Sequence, residues 1–185
     1  DKPFFVYYAT AAGHAPQQAT PEWIAKYKGQ FDQGWDTMRE ETFARQKEMG
    51  IIPADAKLTP RPEQIPAWES ASPREQKVYA AMMELAAAHV AQADYNLGRV
   101  LNAIDDLGQT DNTLVIYIVG DNGAAGEGSL EGSFNDLNVV SQTHESLDYV
   151  ESRLPDFGTW KSSNLYPVGW AWAMNTPFQW CKQVA

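Results

Sequence analysis

Residues 113–119, "TLVIYIV", run apolar or β-branched without a break and stop at Gly120, where an acid, an amide and a glycine-rich loop follow over 121–128. A short run of that composition, bounded by glycine, reads as a buried strand. What precedes it is a helix. Ser72, Pro73 and Glu75 spell a capping box with proline at the first helical position. Val78, Met82, Leu85, His89, Ala93, Leu97, Val100, Ile104 and Leu107 then recur at spacings of three and four until Gly108 supplies the stop. Residues 3–10, "PFFVYYAT", are aromatic and apolar on both alternating sets, which suits a strand covered on both faces. Strand, long helix, strand is a βαβ unit with parallel, right-handedly connected strands. The expected fold class is α/β.

Ligands in open parallel sheets sit outside the carboxyl ends of strands. Both expected strands end in polar groups, so His14 after the first and Asp121 and Asn122 after the second should lie along one edge. Between the strands, Thr20 is a candidate N-cap before Pro21 and Glu22, and a second helix carries Trp35, Met38, Thr42 and Met49 before Gly50. Residues 51–73 hold five prolines and form an irregular excursion. The excursion as a whole covers 20–71. After Gly132 the chain is polar and weakly periodic, and from Tyr166 it crowds aromatic residues around Trp170, Trp172, Phe178 and Trp180.

With 44% hydrophobic residues, the 185-residue chain can bury the core of one domain. A net charge of -10 argues against nucleic acid or an anionic membrane surface as partner, since both need a basic face. No apolar stretch approaches the roughly 18 residues of a membrane span. The single cysteine, Cys181, excludes an internal disulfide. "DKPFFVYYAT" has no leader-like features and reads as a start in mid-domain. That leaves the compartment open, with a periplasmic or secreted one preferred over the cytoplasm.

Asp121 and Asn122 offer a carboxylate and an amide carbonyl, hard oxygen ligands suited to Ca²⁺ or Mg²⁺ rather than zinc. Asp-Asn-Gly is also ordinary turn chemistry, the commoner use of the triplet. His14, between small residues and Pro16, is an exposed imidazole able to act as an acid or to contact sulfate or phosphate. His89 falls on the helix's apolar stripe and reads as a core histidine, and His144 as solvated surface. Asp105 and Asp106 sit in a helix's last turn and are rejected as ligands. Lys182 is either a cation aimed at an anion or a charge at a frayed end. Nothing near Cys181 except Lys182 would activate a thiol.

Across "KPFFVYYATAAGHAP", "LGRVLNAIDDLGQTDNTLVIYIVGDNGA" and "YPVGWAWAMNTPFQWCKQVA", as well as the 27–62 passage, the chain resembles the arylsulfatase type of sulfatase in the alkaline phosphatase superfamily. The resemblance implies a doubly wound, mostly parallel sheet flanked by helices and the hydrolysis of sulfate esters. It implies a Ca²⁺ (or Mg²⁺) site to which Asp121 and Asn122 contribute, His14 on the sulfate and leaving-group oxygen, and Lys182 neutralising sulfate charge. It also implies a formylglycine nucleophile made from a C/S-x-P-S/A-R motif. That motif is absent here, as are the family's other metal ligands and its lysine and histidine pair. Gln17 and Gln18 stand where a histidine pair is common.

The expectation is an internal sulfatase fragment, residues 1–185 of an incomplete catalytic domain, with half a cation site, inactive alone and inclined to self-associate. Two rivals stand beside it. A phosphatase or phosphodiesterase of the superfamily would typically place histidine after the aspartate, where Asn122 stands. A non-catalytic binding module would use the aromatic segment as its surface.

Overall fold

The computed structural model describes residues 2–119 and 122–182. Its helices are α1 (Pro21–Ala25), α2 (Gly34–Glu48), α3 (Pro73–Asp106), α4 (Leu137–Val140), α5 (Leu147–Ser152) and α6 (Val168–Met174), with single 3₁₀ turns at Trp68–Ser70, Thr110–Asn112 and Leu154–Asp156. At the head of α3 both halves of the capping box are made: Glu75 N–H donates to Ser72 Oγ at 3.4 Å, and Ser72 N–H donates to Glu75 Oε2 at 2.6 Å. At the other end Gly108 takes φ +64°, a left-handed stop that glycine adopts freely.

The box has a measurable weight. Ser72→Ala is expected to lower unfolding free energy by about 1 kcal/mol, read from urea midpoints. The Ser72 hydroxyl and then its backbone N–H hold the Glu75 carboxyl below its ordinary range. This contribution is therefore complete above the pH at which an unfolded glutamate titrates, and it is lost as pH falls through the lower folded value.

Every buried residue of α3 lies in its first half, Val78 through Ala88. Farther along, α1 packs on α3, with the Trp23 and Tyr95 rings 5.3 Å apart, while α2 packs on α6. Between them stands a cluster of aromatic rings: Trp170 makes contacts with Phe31 at 5.7 Å, Trp35 at 5.7 Å and Trp68 at 5.4 Å between centroids. Two indoles also spend their N–H groups on backbone, Trp35 on Pro66 O (3.1 Å) and Trp170 on Tyr79 O (2.9 Å). The aromatic segment after Tyr166 is core here, through Trp170 and Trp172 of α6. Past Ala88 the α3 stripe leaves the core, and Leu107 is exposed.

The two expected strands differ from the structure. Among the described residues, 3–10 and 113–119 form no ladder, and the pairings present are isolated bridges, Ser133 with Leu165 and Asn135 with Ser163. Phe5 is 90% exposed and Leu114 85%, and their neighbours on the opposite faces are exposed as well. The physical reason lies in pairing: a parallel sheet is built from non-local neighbours, and two strands alone fall short of the three or more that make a sheet stable. Thr20 likewise makes no side-chain cap on α1, which is a single turn begun by Pro21.

Candidate functional site

Two of the four expected site residues meet on one side chain. His14 Nε2 lies 3.2 Å from Glu127 Oε2, and Lys182 Nζ lies 3.0 Å from Glu127 Oε1. The carboxylate thus turns one oxygen to the imidazole and the other to the ammonium. His14 is carried on a tight turn closed by its own N–H to Ala11 O at 3.1 Å. Its Nδ1 sits 3.0 Å from the Ala15 carbonyl oxygen. A carbonyl only accepts, so that nitrogen carries a proton and Nε2 is the atom turned to Glu127.

Lys182 is brought in by its backbone. Lys182 N–H donates to Ala124 O at 2.8 Å, and Ala124 N–H donates to Asn175 Oδ1 at 3.0 Å, tying the loop after Asn122 to the segment after α6. The glycines of that loop are explained by how closely the two segments approach. A Cβ on Gly126 would stand 2.5 Å from Cys181 Sγ, and one on Gly128 would collide with the carbonyl oxygen of Tyr166. Only hydrogen fits at these positions. Asn122 is exposed at the start of the loop, and Asp121 lies outside the described residues.

Farther back, Arg39 of α2 holds the segment from which Lys182 issues. Its guanidinium donates to Trp172 O (3.0 Å), Phe178 O (2.9 Å) and Thr59 Oγ1 (2.9 Å) and stacks over the Trp172 ring at 4.5 Å. Burial pushes this guanidinium down to about 10, still well above neutral pH. Gln46 assists by donating to Thr176 O at 2.8 Å.

The remaining candidates are placed elsewhere. Gln17 is buried, its side-chain oxygen accepting from Asn164 Nδ2 at 3.0 Å, so it belongs to the core and not to the site. His89 Nδ1 lies 2.8 Å from Gln18 O, and His144 is an exposed side chain 3.4 Å from Glu131. Asp105 accepts from Thr110 Oγ1 at 2.9 Å in the helix-end turn. Burial and then the nearby Glu127 charge push the Cys181 thiol up, opposite to what a nucleophile needs. Burial also raises the Tyr166 hydroxyl, beside the loop, to about 12.

Among the described residues no cluster of three or more His, Cys, Asp or Glu side chains is arranged to hold a metal. The carboxylate and amide at 121 and 122 suit a hard cation by donor type, yet they supply two of the six to eight oxygens that Ca²⁺ takes. Sequence reasoning missed Glu127. Its only local signal is an acid set between two glycines whose small size already implied a close approach.

Comparison with known proteins gives the family of the chain. The family model described as Sulfatase matches residues 1–166. A protein of Schizosaccharomyces pombe named an uncharacterized sulfatase is 33% identical over 182 residues, covering 97% of this chain and 31% of the relative. The arylsulfatase of Klebsiella aerogenes is 32% identical over 178 residues, covering 96% of this chain and 36% of the relative. The chain thus spans about a third of the length of these curated relatives.

Proposed function

This chain belongs to the sulfatase family, and on that premise we propose that it supplies the sulfate-contacting edge of a sulfate-ester hydrolase, with His14 and Lys182 as its charge-stabilising groups and Asp121 and Asn122 as ligands of a divalent cation. The observation that carries the reading is the convergence of His14 and Lys182, from opposite ends of the chain, on Glu127. Groups that both contact one sulfate must have head groups that meet at a point.

In this reading Lys182 offsets the negative charge that builds on the sulfate oxygens as the ester S–O bond breaks. His14 stands ready to give its Nε2 proton to the departing ester oxygen, so that the leaving group departs as a neutral alcohol or phenol. A cation at Asp121 and Asn122 would polarise the sulfate, and a formylglycine hydrate would supply the nucleophile, for which this chain has no C/S-x-P-S/A-R precursor. The doubly wound sheet belongs to the same proposal. The segments 3–10 and 113–119, bare on both faces here, are the parts it would use as strands.

The test uses the 185-residue chain itself. Inorganic sulfate added to isotope-labelled protein should shift the side-chain resonances of His14 and Lys182 together. Lys182→Met should weaken that binding about tenfold, the scale of one hydrogen bond to a charged group. The same chain should show no turnover of para-nitrophenyl sulfate. Sulfate binding that ignores both residues would remove the basis for the site, and measurable turnover would overturn the claim that the nucleophile is missing.

A further inference from the structure

Glu127 raises a question that the sulfatase reading, on which this inference rests, leaves open: a carboxylate stands where an anionic substrate should be met by cations. Both ring nitrogens of His14 face oxygens that accept, the Ala15 carbonyl at 3.0 Å and Glu127 Oε2 at 3.2 Å. An imidazole so placed is satisfied only with a proton on each nitrogen. Glu127 therefore lies between the His14 ring, which donates from both nitrogens only in its doubly protonated form, and the Lys182 ammonium, and gives each a separate oxygen. A sulfate monoester would present the same face, two oxygens of a single anion.

The loop suits a temporary occupant. Gly126 and Gly128 pack against Cys181 and Tyr166 on either side, which sets the backbone of Glu127, while its side chain is 41% exposed and has room to swing outward. An anion bound by His14 and Lys182 could not share the space with a carboxylate held by the same two groups, since like charges at contact distance repel.

We propose that Glu127 is an internal stand-in for the sulfate group, keeping His14 and Lys182 aimed at one point in the empty site and leaving when a sulfate ester takes both cations. It is a positioning residue that sets affinity for the anion, not the chemical step. Its contact with each cation is a partly exposed ion pair, so its removal should change affinity by a modest factor.

The experiment is a titration of inorganic sulfate into the full chain at fixed ionic strength, with Glu127→Gln and Glu127→Ala beside the native protein. Both variants should bind sulfate about five- to tenfold more tightly, and adding Lys182→Met to Glu127→Gln should abolish the gain. In the native chain, saturating sulfate should erase the nuclear Overhauser contact between the His14 ring and the Glu127 side chain, a readout that needs no variant. Unchanged or weaker binding in the Glu127 variants, or a His14 contact that survives saturation, would overturn the stand-in role. If native binding still depended on Lys182, the sulfatase reading would survive that result. Sulfate that bound none of the proteins would sink both.

Discussion

Arg39→Met should lower the unfolding free energy of this chain by about 3 kcal/mol, measured from urea midpoints at neutral pH. The number follows from opposing effects. Arg39 is 1% exposed, and no carboxylate is among its hydrogen-bond partners, so its charge is costly to bury and methionine relieves that cost. Against this, the substitution leaves the carbonyls of Trp172 and Phe178 and the hydroxyl of Thr59 dry, at about 1–3 kcal/mol each, and removes a cation–π contact with Trp172. The unsatisfied acceptors win. Arg39→Lys should restore less than half of the loss, because one ammonium cannot span a fork that reaches carbonyls on both sides of Thr176. Because the clamped segment leads to Lys182, Arg39→Met should also speed hydrogen exchange at the Lys182 amide, which donates to Ala124 O. A loss under 1 kcal/mol would mean that water reaches those carbonyls and that the clamp is not dry.

What the sequence revealed and what it hid divide along the range of the interactions. The capping box at Ser72 and the stop at Gly108 are local, set by residues within one turn, and α3 begins and ends where they put it. The apolar period of α3 is also local, yet it says only that a face exists. Half of that face, beyond Ala88, meets no core among the described residues. The runs at 3–10 and 113–119 have the composition of strands but lack the ladder, since composition specifies a strand and only neighbours make a sheet. In the site, His14 could be named from its chemistry, whereas Lys182 read from chemistry alone as a charge at a frayed end and took a role only from the family resemblance. Their meeting at Glu127 spans nearly the whole chain and leaves no periodic trace. Arg39 was hidden for the same reason: a charged residue in a polar helix gives no sign that two of its carbonyl acceptors, on Trp172 and Phe178, lie beyond residue 170.

Trp170→Ala should be the most damaging single change, at about 3–5 kcal/mol. Its indole is fully buried, with Phe31, Trp35 and Trp68 around it and its N–H bonded to Tyr79 O in α3. Alanine would leave a void among rings fixed by one another, and the rings cannot collapse without moving α2 or α3. Trp160→Ala serves as the control, because that side chain is 84% exposed and its removal should change stability by less than about 0.5 kcal/mol. The comparison tests more than a packing estimate. If the described residues unfold as one unit around the tryptophan cluster, Trp170→Ala must lower the midpoint reported by far-UV circular dichroism and the midpoint reported by the Ala124–Lys182 amides by the same amount. Trp170 sits within α6 and Asn175, whose side chain holds Ala124, caps its C-terminal end, so damage to the cluster has a direct mechanical route to the site. Two separated midpoints would show instead that the loop holding Glu127 and Lys182 opens on its own, and that its glycine-tight packing, rather than the core, sets the stability of the site.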